Sequence, residues 1–284
     1  MKKNKIKDTG LEVTELSFGT SSLGSMPDTY GYEVPEQRAQ ETLKRFFQGP
    51  VNMLDTSRNY AMGESEKRIG IAIKENGGWP ENFILSTKID RNMETLVLDK
   101  KRTRESIEES LKTLNVDSVD ILFLHDPEYV KDVNDVTKKD GALDELFKIK
   151  EEGLAKAVGL AMGKINIMFP ILKNWDFDVI INHNRYTLLN READEMYSYA
   201  HSKNISIFNA APYAGGVLAK GPSNFKKITY QDVTEEKLAP AREIEKVCKK
   251  HNVEMGAAAL QFSMKDERVT STLCGVTSVQ SIEK

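Results

Sequence analysis

The sequence predicts an α/β protein: a single (β/α)8 barrel over residues 1–284 with a short N-terminal β-hairpin. Three observations lead there. Eight short runs are apolar throughout, as strands buried on both faces are, and segments of helical period separate them. No G-x-G-x-x-G turn follows the first of these runs, where SFGTSSLGSM stands, so an open doubly wound sheet is disfavoured. No low-complexity linker or Pro-rich boundary divides the 284 residues, and barrels of this kind commonly hold about 250 in one domain.

The elements follow in order. Lys5 to Leu16 (KIKDTGLEVTEL) has two alternating segments around Asp8-Thr9-Gly10, which is hairpin chemistry. The barrel runs then end near Gly19 (ELSFG), Asp55 (VNMLD), Lys88 (FILSTK), His125 (VDILFLH), Leu160 (AKAVGL), Ile181 (DVIIN), Ala210 (ISIFNA) and Cys274 (VTSTLC). In the helical segment RESIEESLKTL, Ile107, Leu111 and Leu114 share a face, and REIEKVCKKH repeats the pattern with Ile244, Val247 and Cys248. The connections from Ile89 to Asp99 and from Asp126 to Gly141 are long and follow strand C-termini, where a barrel builds its active site. The chain stops at Lys284 inside what should be the eighth helix, so that helix and a C-terminal tail are expected to be incomplete.

The 39% hydrophobic and 29% charged residues are those of an ordinary globule with a large core. Net charge is -3 with a pI near 5.9, and cations are interspersed with acids, which argues against nucleic acid as a partner. The basic start MKKNKIKDTG is followed by no apolar h-region, and no run approaches membrane-spanning length. A cytoplasmic protein without a membrane partner is expected. Cys248 and Cys274 are expected to be core residues, since a disulfide framework or zinc site needs more.

Asp55, Lys88 and His125 end three successive strands at one mouth. Val51 and Met53, Ile84 and Ser86, and Ile121 and Phe123 share the parity of the polar residue ending their strand, so all three polar groups should point inward. Tyr60 lies in the loop just beyond Asp55. A buried Asp55–Lys88 pair would satisfy the carboxylate, and the lysine would lower the Tyr60 pKa, poising the phenol to exchange a proton with a substrate oxygen that His125 orients. Taken singly each has a plainer reading: Asp55 as a helix cap, Lys88 as half of a structural ion pair, Tyr60 as loop packing, His125 as a core histidine. Their joint register favours the catalytic reading. One histidine, no cysteine and a repelling lysine disfavour a metal here, and a glycosidase built on Asp126 and Glu128 would leave Lys88 and Tyr60 without a role.

On TGLEVTELSFGT, the Asp-x4-Tyr of LDTSRNY with GESEKRIG, STK at Lys88 and VDILFLHDPE, the chain resembles the aldo-keto reductases over nearly its whole length. INHNRYTLLNR and NAAPYAGGVLAKGP are most similar to the sugar-dehydrogenase branch, the D-threo-aldose 1-dehydrogenases and L-fucose dehydrogenases. The resemblance implies an NAD(P)-dependent oxidoreductase moving a hydride between nicotinamide and a sugar or small aldehyde, with an aldose oxidised at C1 to its lactone. In that reading Tyr60 is the general acid or base, Lys88 and Asp55 tune it and His125 aligns the substrate oxygen. Two rivals are a general NADPH-dependent aldehyde or ketone reductase and a nucleotide-sensing regulatory subunit. A monomer or small homo-oligomer is expected.

The resemblance also implies the cofactor contacts. Gly19, Thr20 and Ser21, with Asp55, would lie at the nicotinamide, and His183 where a glutamine often meets the carboxamide. Ala210 stands where many members stack an aromatic ring. The segment Pro212, Tyr213, Gly215, Gly216 and Leu218 would wrap the pyrophosphate, and Gly275, Thr277 and Ser278 would lie near the ribose. Ser281 stands where NADP-preferring members often place an arginine, which leans the choice between NAD and NADP toward NAD. Ala161 and Met162 replace the usual Ser-Asn, and Ala61 replaces the glycine that often follows the tyrosine.

Overall fold

The computed structural model describes residues 1–225 and 227–283. Eight parallel strands close into a barrel: β3 (Leu16–Gly19), β4 (Met53–Asp55), β5 (Ile84–Ile89), β6 (Val119–His125), β7 (Ala155–Met162), β8 (Val179–His183), β9 (Ser206–Ala210) and β12 (Ser271–Gly275), the last pairing with both β9 and β3. Each run expected as a strand forms one. Alternation inside them divides the core into two layers. Met53, Ile84, Ile121, Phe123, Ala157, Ile181 and Phe208 fill the barrel interior, while Leu54, Leu85, Leu122, Leu124, Val158 and Ile180 face the surrounding helices. Val51 departs from the expected inward set and packs in the outer layer, because β4 begins only at Met53 and the period-2 alternation does not extend back to it.

The hairpin pairs β1 (Lys3–Lys5) antiparallel with β2 (Glu12–Thr14), turning through Gly10 at φ +78°. Its apolar residues Ile6, Leu11 and Val13 join the interior layer and close the barrel at the N-terminal ends of its strands. That leaves the C-terminal ends for the chemistry.

Helices alternate with the strands. The helix Lys100–Leu114 contains the expected stripe, with Ile107 and Leu114 fully buried, and its N-cap Asp99 accepts from the Arg102 amide at 2.8 Å. In Glu235–Lys250 Ile244 and Cys248 pack inward as expected, beside Leu238 and Ala241, while Val247 departs from the expected stripe and is 58% exposed. Cys248 and Cys274 are free and buried, as expected. A two-stranded ribbon not anticipated from the sequence, β10 (Lys227–Ile228) and β11 (Gln231–Asp232), stands beside the loop after β9. The expected eighth helix is present over Val279–Glu283, and Lys284 lies outside the described residues. Among the described residues no helix is long and apolar enough to cross a membrane.

Candidate active site

Barrel stagger sets the heights of the polar residues. Asp55 is in register with Ser86, so Lys88 stands one inward position above it; Lys88 pairs with Phe123, and His125 is one inward position higher again. The polar groups therefore climb around the mouth. The lysine's long side chain bridges the step: Nζ donates to Asp55 Oδ2 and to the Thr56 carbonyl oxygen, both at 2.6 Å. Ser86 Oγ donates to Asp55 Oδ1 at 2.8 Å. Both members of the pair are almost wholly buried.

Tyr60 begins a tight turn, Tyr60–Gly63, in which Ala61 (φ +51°) and Met62 (φ +55°) are left-handed. A glycine would adopt that conformation without strain, which is a physical reason for glycine after this tyrosine. The turn lays the phenol ring over Lys88, with Nζ 4.6 Å from its centroid, and edge-on to His125, with centroids 5.8 Å apart. The structure corrects one expectation here. The Tyr60 pKa is not lowered but pushed well above its ordinary 10.0, by burial first and then by Asp55 and the carboxylates of Asp126 and Asp90. The lysine charge is neutralised by Asp55, so what remains is the cost of a phenolate away from water.

Behind His125 lies a residue the sequence reading missed. Asp90 is buried, and its Oδ1 is 2.7 Å from His125 Nδ1. Its Oδ2 accepts from Ser57 Oγ at 2.6 Å and from the Asn59 amide at 2.9 Å. The available signal was parity: Asp90 continues the inward alternation of Lys88, and Ser57 that of Asp55. On the other edge of the imidazole, Nε2 is 3.6 Å from Asp126 Oδ2. Burial disfavours the His125 cation, but Asp126 and Asp90 outweigh it and raise the pKa above the ordinary 6.5.

Asp55, Tyr60, Lys88 and His125 all line one cavity of about 680 Å³ at the C-terminal mouth. Tyr30, Tyr32, Tyr230, Phe225, Met26 and Met93 add aromatic and apolar surface to its lining. The Aldo/keto reductase family profile matches residues 15–284. The chain belongs to that family. This aldo/keto reductase is an oxidoreductase, and its family works with nicotinamide cofactors. It is 31% identical over 289 residues to an L-galactose dehydrogenase of Arabidopsis thaliana, covering 98% of this chain and 84% of that one. With a D-threo-aldose 1-dehydrogenase of Pseudomonas sp it shares 27% over 292 residues, 94% and 86% of the two chains. An aldo-keto reductase of Bacillus halodurans in its holo form superimposes with a TM-score of 0.77 at 22% identity, over 100% of this chain and 89% of that one.

Of the residues the reductase resemblance placed at the cofactor, Gly19, Ser21, Asp55, His183, Ala210, Pro212, Tyr213, Gly215, Gly216 and Gly275 line the cavity. Four do not. Thr20 is fully buried, and its Oγ1 donates to the Asp55 carbonyl oxygen at 2.9 Å. Leu218 is core, and its amide donates to the Tyr213 carbonyl oxygen. The amides of Thr277 and Ser278 both donate to Ser281 Oγ at 3.1 Å. Gly215 (φ +77°) also has a purely internal reason to be glycine, since a Cβ there would stand 2.8 Å from the Thr229 and Tyr230 amides.

Proposed function

We propose that this chain is an NAD(P)-dependent dehydrogenase or reductase of a sugar or small aldehyde, with an aldose oxidised at C1 as its characteristic reaction. The convergence of Tyr60 and His125 on one cavity wall, with the buried Lys88–Asp55 pair beneath, carries the reading. The sugar assignment is supported by the names of the two dehydrogenase relatives.

The residues present fit a nicotinamide. A carboxamide offers both N–H and C=O, and the wall provides a buried Asp126 oxygen without a hydrogen-bond partner, 3.8 Å from His183 Nε2. Those two would hold it in place of the Ser-Asn pair that Ala161 and Met162 replace. Gly19, Gly275 and Ala210 bring little side-chain bulk to the cavity lining, and Tyr213, also in that lining, offers an aromatic surface where Ala210 has none. When bound, the cofactor supplies the hydride to a carbonyl carbon or accepts it from an alcohol or hemiacetal carbon.

Tyr60 and His125 do the rest. In reduction the phenol, held protonated by burial, gives its proton to the carbonyl oxygen as the carbon gains hydride, and the product is the alcohol. Oxidation runs the same atoms backward and starts from the Tyr60 phenolate: the anomeric hydroxyl proton passes to the phenolate oxygen as the carbon loses hydride to the oxidised cofactor, leaving the lactone. Because burial and Asp55 favour the phenol over the phenolate, the oxidative direction should gain with rising pH. His125 fixes the substrate oxygen between itself and Tyr60, and Lys88 and Asp55 hold the ring from below.

The test is the nicotinamide absorbance change for a panel of aldoses with NAD+ and NADP+, and of aldehydes with NADH and NADPH. Aldose-dependent reduction of the oxidised cofactor is expected. Turnover of simple aldehydes with NADPH alone would replace the sugar reading with that of a general carbonyl reductase.

A further inference from the structure

Resting on the assignment of His125 as the group that meets the substrate oxygen, we propose that Asp90 is a positioning residue that fixes the imidazole's tautomer and charge, and so decides whether the pocket offers that oxygen a donor or an acceptor. The hydrogen-bond pattern admits one arrangement. The Ser57 hydroxyl proton goes to Asp90 Oδ2, so at 3.3 Å from His125 Nδ1 its oxygen can only accept. Asp90 Oδ1 is also an acceptor. Nδ1 therefore carries a proton in either charge state, and titration occurs at Nε2, on the edge toward the cavity.

The consequence is a switch in what Nε2 can do. As the imidazolium it donates to a carbonyl oxygen; as the neutral Nδ1–H tautomer it accepts from a substrate hydroxyl. Low pH thus suits reduction and high pH oxidation. The charged groups around the ring set the crossover. Asp90 from the loop after β5 and Asp126 from the loop after β6 favour the cation, and Lys88 from β5 opposes it. The Asp126 carboxylate is itself held at about 2, where burial is outweighed by His125, His183 and Arg91. Tyr60, edge-on at 5.8 Å, is held as the phenol by burial and titrates above His125, so oxidation needs its phenolate as well as the neutral imidazole.

Asp90→Asn gives a specific reversal. Oδ2 must remain an oxygen to accept the Asn59 amide and the Ser57 hydroxyl, so the new amide nitrogen faces His125 Nδ1. Its N–H then donates to Nδ1 and forces the neutral Nε2–H tautomer. Side-chain 15N–1H spectra of the whole protein across pH would show this directly, and four histidines make assignment tractable.

In the unmodified protein, neutral His125 should carry its proton on Nδ1 and titrate above the ordinary value of about 6.5. In Asp90→Asn the proton should move to Nε2 and the midpoint fall by about one to two pH units. Reduction should lose its alkaline decline while oxidation falls, and Asp90→Glu, which keeps the charge, should restore part of the original profile. A neutral Nε2–H tautomer in the unmodified protein, or an unchanged tautomer and midpoint in Asp90→Asn, would overturn the proposal. The spectra read the imidazole without turnover, so an enzyme inactive on every substrate would count against the proposed function and leave the tautomer result standing.

Discussion

Lys88 directs its charge downward, onto Asp55 and the Thr56 carbonyl, and what reaches Tyr60 is the underside of a neutralised pair. A residue in that position is structural as well as part of the proton-transfer site we propose. Lys88→Met should leave Asp55 as an uncompensated buried carboxylate and lower stability by about 3–5 kcal/mol, read as a denaturant midpoint shifted with little change in slope. A variant as stable as the parent would mean that the pair contributes little to the fold. The same residue shows what is legible in the sequence. Its inward parity and its pairing with Asp55 were legible in FILSTK and VNMLD, because alternation along a strand is fixed by backbone geometry. The direction of the Tyr60 shift was not, because it depends on the balance of desolvation against a lysine charge that Asp55 cancels.

At the scale of elements, the helix Glu64–Glu75 meets β5 through a buried carboxyl group. Glu66 Oε1 accepts from Thr87 Oγ1 at 2.6 Å, Glu66 is fully buried, and burial raises its pKa from 4.5 to about 7 despite the Thr87 hydrogen bond. The folded state therefore prefers the neutral acid. Its contribution to stability is complete below about 4.5 and is lost as pH rises to about 7, a span worth about 3 kcal/mol. Glu66→Gln keeps the acceptor and removes the titration, so its stability should vary less between pH 4.5 and 7 than the parent's; parallel pH–stability curves would contradict the account. The eight strands were readable because runs such as VDILFLH are apolar on both faces. Val247 was misplaced because Ile244, Val247 and Cys248 fit either of two adjacent faces, and tertiary packing chose the one with Leu238 and Ala241. The ribbon of β10 and β11 has only two residues per strand, too few for any periodicity to register. Asp90 escaped because it falls one residue beyond β5, where strand alternation is no longer assured.

For the whole molecule, the division of labour follows from barrel closure. Ile6, Leu11 and Val13 close one end of the interior, the interdigitated layer of Met53, Ile84, Ile121 and Phe123 fills the middle, and the titratable groups Asp55, Tyr60, Lys88 and His125 line the opposite mouth. One domain serving as both scaffold and site is the arrangement we propose for residues 1–284. Its central chemical claim is that a single hydroxyl, on Tyr60, passes the proton. The most direct measurement is turnover of Tyr60→Phe beside nicotinamide binding followed by fluorescence. Binding should be retained while the chemical step falls by at least the ~10²-fold that loss of a general acid or base removes. Near-parental turnover with intact binding would contradict the account.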